Sequence, residues 1–174
     1  MRHNQLPPSA PYYYILWGTI VALYSIARYY AITYSMPTFN SASLLFLAGG
    51  ILSYRHAKRD RSESLRIDKV YLVVWLLISL GILVANIAGA QLGIEYTIPI
   101  TLTLYCLGAF ITGLASRFWP SIAGAILCTV CVAWSFYEKD YAAQNLLMAA
   151  AVATVHIIPG LIMRNKVQTS LSKQ

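Results

Sequence analysis

The chain has 174 residues, of which 58% are hydrophobic and only 11% are charged, and its mean hydropathy is +0.59. Soluble domains carry about 25% charged residues, so this composition argues against a soluble enzyme or binding domain and for a multi-spanning membrane protein. The net charge of +7 does not indicate nucleic acid, because most of it sits in one connection and the tail, where the positive-inside rule puts it.

After MRHNQLPPSAPYYY comes an apolar run too long for a signal-peptide core, with no small-residue cleavage site behind it. Residues 13–33 are therefore predicted as the first spanning helix. The second prediction, 39–54, is short and contains Gly49-Gly50. Residues 55–69, RHAKRDRSESLRIDK, form a basic cytoplasmic loop, the one long connection. Further spans are predicted at 70–90, 98–115, 120–137 and 143–163. Each reaches or approaches the roughly 20 residues a crossing needs. Pro99 and Pro120 fall in first helical turns, where a missing N–H costs nothing. The expected fold is an all-α integral membrane protein, a single domain over 1–174 built as a bundle of six transmembrane helices.

Orientation follows from the basic residues. With the N-terminus inside, eleven of the thirteen Lys and Arg fall on the inner side. Only Lys139 lies outside, with Arg28 in the outer half of the first span. Both termini are expected to be cytoplasmic, in a bacterial cytoplasmic (inner) membrane. The basic loop reads as a topology signal. Its Arg55, Lys58, Arg59, Arg61, Arg66 and Lys69 are also candidates for lipid headgroups, at about 1 kcal/mol each near an anionic surface. Membrane lipids are thus the expected partners, and nucleic acid is not.

Small residues four apart mark the faces on which helices can approach closely. The third span has Gly81, Ala85, Gly89 and Gly93; the fourth has Ala109 and Gly113; the sixth has Ala149 and Ala153. They suit packing inside one bundle, or a seam with a protein partner or a second copy.

Chemistry is sparse. No zinc-protease, nucleophile-elbow, phosphate-loop or paired-carboxylate motif occurs. His3, His56 and His156 are far apart, and all six acidic residues lie in connections. No catalytic residue, metal or cofactor is expected. Cys128-Thr-Val-Cys131 has redox spacing, but it falls mid-span where thiol exchange lacks access, so a structural role is expected. In the sixth span, Asn145, Ala149, Val152 and His156 share a face, and Pro159 frees the carbonyl of Val155. That face is expected to look inward, with Asn145 and His156 as a candidate intramembrane polar face.

Arg28, in SIARYYAITY, lies about 7 Å beyond the midpoint of its helix, still within hydrocarbon. Either it extends to the outer headgroups among Tyr29, Tyr30 and Tyr34, or it has a partner. At matching depth stand Asn86, Gln91 and Glu95. The expected cluster pairs Arg28 with Glu95 and has Asn86 accepting a second hydrogen bond, which makes an outward-facing polar pocket.

Two stretches, GAFITGLASRFWPSIAGAILC and HIIPGLIMRNK, resemble small multi-spanning membrane proteins of Bacteroidota that often stand beside DNA-binding regulators. The resemblance covers about the last third of the chain. It implies a helical bundle in the cytoplasmic membrane and carries over no catalytic residue. The expected function is a non-enzymatic accessory, sensor or regulatory subunit acting through partner contacts. The alternative is a small solute or ion transporter or channel.

Overall fold

The computed structural model describes residues 10–36, 41–59 and 69–171, and these are helical nearly throughout, with no strand among them. The helices are α1 (Ala10–Thr33), α2 (Ser41–Arg59), α3 (Lys69–Leu92), α4 (Thr97–Ala115) and α5 (Trp119–Tyr137). A 3-10 turn, Ile94–Tyr96, leads directly into α4. The last rod has three parts: α6 (Tyr141–Val152), a π-helical stretch (Ala153–Ile157) and α7 (Ile158–Leu171).

Four stretches are long and apolar enough to cross a membrane: Ala10–Thr33, Ile94–Ala115, Trp119–Tyr137 and Tyr141–Lys166. They match the spans expected at 13–33, 98–115, 120–137 and 143–163. The other two expected spans correspond to α2 and α3. Residues 39 and 40 lie outside the described residues, and the described apolar part of α3, Val73–Ala88, is shorter than a full crossing. α2 also runs further than expected, through Arg59, so the first five residues of the basic segment are helical. Arg61 and Arg66 fall outside the described residues.

The bundle is turned inside out relative to a soluble protein. Val73, Leu76, Leu77, Leu80, Leu83, Val84 and Ile87 form an exposed stripe at helical spacing along α3. Thr101, Thr112, Ser121, Ser135, Gln144, Asn145 and His156 are buried instead. Such an arrangement suits a surrounding solvent of lipid tails. Hydroxyls in that setting need acceptors, and they find them one turn back along their own helices. Thr103 donates to the Pro99 carbonyl at 2.8 Å, Thr112 to Gly108 at 2.8 Å and Thr154 to Ala151 at 2.7 Å. No lone polar group is thereby left facing hydrocarbon at these positions.

The core joins α1, α4, α5, α6 and the π stretch through Val21, Leu102, Cys106, Ala109, Ala125, Cys128, Met148, Val152 and Val155. α4 and α5 form a tight antiparallel hairpin. Ala109 and Gly113 let α5 close in: Ser121 Oγ donates to the Ala109 carbonyl at 3.3 Å, and a Cβ on Gly113 would come within 3.1 Å of the Ile122 backbone. α3 packs on α4 at Gly81 and Leu104, and Ala85 is buried as well. Ala149 is likewise buried within the chain. α1 runs antiparallel along the whole last rod, with Gly18 against His156 and Ile157, and Gly160 against Tyr14 and Ile15.

Candidate functional site

The helical ladder breaks once in the last rod, at a place set by Pro159. Proline has no N–H to offer the Val155 carbonyl and crowds the turn before it. The helix widens there, and the N–H of Ile158 reaches back five residues to the Ala153 carbonyl. Such single-turn π segments are frequent at functional positions.

His156 sits in this widened turn and is buried, at 5% exposure. Rings from three other helices surround it. Tyr14 of α1 lies 5.5 Å away between centroids, Trp75 of α3 5.3 Å and Tyr105 of α4 5.6 Å. Trp75 and Tyr105 also meet each other edge to face at 5.9 Å. The imidazole Nδ1 is buried and makes no hydrogen bond among the described residues. Glycines close the box: a Cβ on Gly18 would stand 2.8 Å from that of His156, and the Thr154 carbonyl occupies the place a Cβ of Gly124 would take. His156 therefore faces the interior, and its neighbours from other helices meet it ring to ring.

Asn145 is buried too, but its amide donates to the Tyr141 carbonyl at 2.7 Å, on its own helix. Eleven residues of helix separate it from His156, about 16 Å of rise. Both members of the expected polar face are thus buried, at different depths along the rod.

A second polar site lies at the other end of α6. Gln144, 1% exposed, donates through Nε2 to three carbonyls: Glu95 at 2.8 Å, Ser135 at 3.1 Å and Glu138 at 2.8 Å. One side chain so ties the 3-10 turn, the last turn of α5 and the α5–α6 connection. Its Oε1 is buried and makes no hydrogen bond among the described residues. Asp140 caps α6 by accepting from Ala142 N at 2.9 Å, and Glu138 accepts from Asp140 N at 2.9 Å.

Arg28 is half-buried against this end, its guanidinium 5.9 Å from the Tyr141 ring centroid. The expected cluster of Arg28 with Glu95, Asn86 and Gln91 does not form among the described residues. The Glu95 carboxylate folds over Gly93, whose φ of 117° makes a sharp turn there, and the Glu95 backbone is held by Gln144. Asn86 is exposed and donates back to the Ile82 carbonyl at 2.8 Å, while Gln91 is exposed. Of the basic-loop candidates, Arg55 and Lys58 are exposed near the end of α2, and Lys69 opens α3.

Gln144 and the three rings around His156 are the residues sequence reasoning missed. Gln144 carried a signal: a Gln beside an Asn in an apolar run is a helix-joining group. Tyr14, Trp75 and Tyr105 carried none, since interfacial and interior aromatics look alike along a chain.

Elsewhere, an apolar recess of about 350 Å³ opens between α4 and α5, lined by Thr103, Cys106, Phe110, Ala125 and Thr129 among others. Its hydroxyls are turned to their own helices, and Cys106 Sγ donates to the Ala125 carbonyl at 3.0 Å. No polar groups converge on it, as a specific ligand site would need. The fold thus defines a helical bundle with several apolar helices that suit a membrane. No family model matches the chain, and no curated protein or solved structure matches it.

Proposed function

We propose that this is a non-enzymatic, six-span protein of the bacterial cytoplasmic membrane, with both termini inside, that serves as a sensor or regulatory subunit through contacts with a protein partner. The observation that carries the reading is the closed box at His156. A broken helix at mid-depth is the usual wall of a transported solute's site. Here Tyr14, Trp75, Tyr105, Gly18 and Gly124 pack the break shut from four sides. A sealed break offers a point of bending rather than a path. The basic segment and tail stand on the inner side in this reading, where a soluble partner can reach them.

A second reading, a small solute or ion transporter or channel, is favoured by the break itself. It asks for a matching interruption in the other half of the chain, yet α3 runs unbroken through Gly81.

Purification from the native membrane with identification of what remains bound tests the choice. A stoichiometric protein partner retained through washing supports the first reading. A retained small solute with no such partner overturns it in favour of the second.

A further inference from the structure

We propose that Cys106 and Cys128 form a thiol pair that a quinone of the bilayer oxidises to a disulfide, the quinone entering by the apolar recess between α4 and α5. The proposal rests on the membrane-spanning reading and gives the sensor its signal, the redox state of the surrounding lipid phase.

Cys106 is the middle residue of α4 and Cys128 the middle residue of α5. In an antiparallel hairpin the two midpoints stand at the same depth, and the contacts fix that register. Gly113 meets Ile122, the Ala109 carbonyl accepts from Ser121, and Cys106 Sγ donates to the Ala125 carbonyl at 3.0 Å. Cys128 follows Ala125 by about one turn on the same side of α5, and its thiol is the hydrogen-bonding neighbour of the Cys106 thiol. Both cysteines are buried in the common core. A disulfide needs Cα atoms within about 7 Å, closer than most helix pairs come. The facing positions here are small and buried, with Ala109, Gly113, Ser121 and Ala125 between the helices, which draws the hairpin together.

A pair at mid-span lies about 15 Å from water on either side, out of reach of glutathione and other charged thiol reagents. The recess offers another approach. Buried Cys106 and Ala125 belong to its lining, and Leu107, Phe110, Ile126 and Thr129 at its edge are exposed, in this reading to lipid. No polar groups converge there, so the occupant is an apolar molecule that the bilayer supplies, and the thiols require it to accept two electrons. A quinone meets both conditions. Two S–H bonds break and one S–S bond forms; the two protons and two electrons pass to the quinone's two carbonyl oxygens, giving the quinol. One turn before Cys128, Gly124 packs on the Thr154 carbonyl in the π turn. Drawing the two sulfurs to about 2.0 Å pulls α5 toward α4 beside that break.

The full-length protein, reduced and held in lipid nanodiscs without oxygen, tests this with decylubiquinone, whose fully substituted ring resists thiol addition. Two of the three cysteines should become resistant to alkylation after denaturation, one quinol should appear per disulfide, and peptide mapping should join Cys106 to Cys128. Cys106→Ser and Cys128→Ser should each yield no quinol, whereas Cys131→Ser should match the parent chain. Oxidised glutathione should leave all three thiols free, and Thr129→Trp, which fills the edge of the recess, should slow the quinone reaction. Circular dichroism confirms that each variant is folded; should Thr129→Trp fail to fold, Leu107→Trp carries the comparison. Three alkylatable thiols after quinone treatment, a Cys128–Cys131 disulfide, equal oxidation by glutathione disulfide, or an unchanged quinone rate in the folded Trp variant would overturn the proposal. Partner retention is read separately by copurification and topology by reporter fusions, so a failed thiol pair and a failed membrane or sensor reading give different results.

Discussion

At the scale of single residues, the chain contrasts two buried amides or rings with opposite demands. Gln144 donates through Nε2 to three carbonyls, those of Glu95, Ser135 and Glu138. Gln144→Leu, which fills the same space, should lower stability by about 1–3 kcal/mol as the carbonyls lose the two shared amide protons, visible as a reduced melting temperature in detergent. His156 is the reverse case, because its Nδ1 makes no hydrogen bond among the described residues. Replacing an unsatisfied buried polar group by an apolar one of similar shape is close to neutral. His156→Phe should therefore keep thermal stability within about 1 kcal/mol, whereas His156→Ala should cost about 2–5 kcal/mol through the cavity left among the rings. A large loss in the Phe variant would mean that the imidazole does more than fill the box. The position of His156 inside the bundle was legible from its spacing with Asn145 and from Pro159. Its partners were not, since they arrive from three helices that only the fold brings together. Arg28 was legible as an anomaly, but its contact with the Tyr141 ring was not, because α1 and α6 meet only in the fold.

At the scale of elements, helix ends and close crossings decide the shape. α1 and α4 both finish in the paired bonds of a Schellman turn. Met36 N reaches the Ala31 carbonyl at 2.9 Å and Ser35 N that of Ile32 at 3.2 Å; Phe118 N reaches Gly113 at 2.9 Å and Arg117 N reaches Leu114 at 3.1 Å. The residue in the left-handed position is usually glycine, yet here it is Ser35 at φ 50° and Arg117 at φ 52°. Arg117→Gly and Ser35→Gly should each raise stability by about 0.5–1 kcal/mol, while Ser116→Gly, in right-handed backbone, should lower it by a similar amount. Crossings are less forgiving. At Gly124 a methyl group would run into the Thr154 carbonyl, which is backbone and cannot swing aside. Gly124→Ala should cost about 1–3 kcal/mol, measured by the same melting assay. The four long apolar helices and their boundaries were legible to within a few residues, because hydrophobic length is a direct property of sequence. The π turn was legible only as a proline-induced break, and the roles of individual glycines depended on which helix lay opposite.

At the scale of the whole molecule, the proposed six-span arrangement makes its own forecast. Reporter fusions after residues 60, 94, 118, 140 and 170 should read inside, outside, inside, outside, inside, following the distribution of Lys and Arg. An outside signal at 60 or 170 would overturn the topology. The pairing of α1 with α6, the π stretch and α7 has a further consequence, and it concerns synthesis. α1 finds its main neighbour only in the rod that begins at Tyr141, more than a hundred residues later. Until then the cleft beside Gly18, Ser25 and Arg28 has no protein to fill it, while α4 and α5 can already close on each other through a three-residue turn. α1 therefore stays unpaired until the rod from Tyr141 onward has been made, and a nascent form halted before Tyr141 should be an open, protease-sensitive bundle that depends on insertion factors to shelter α1.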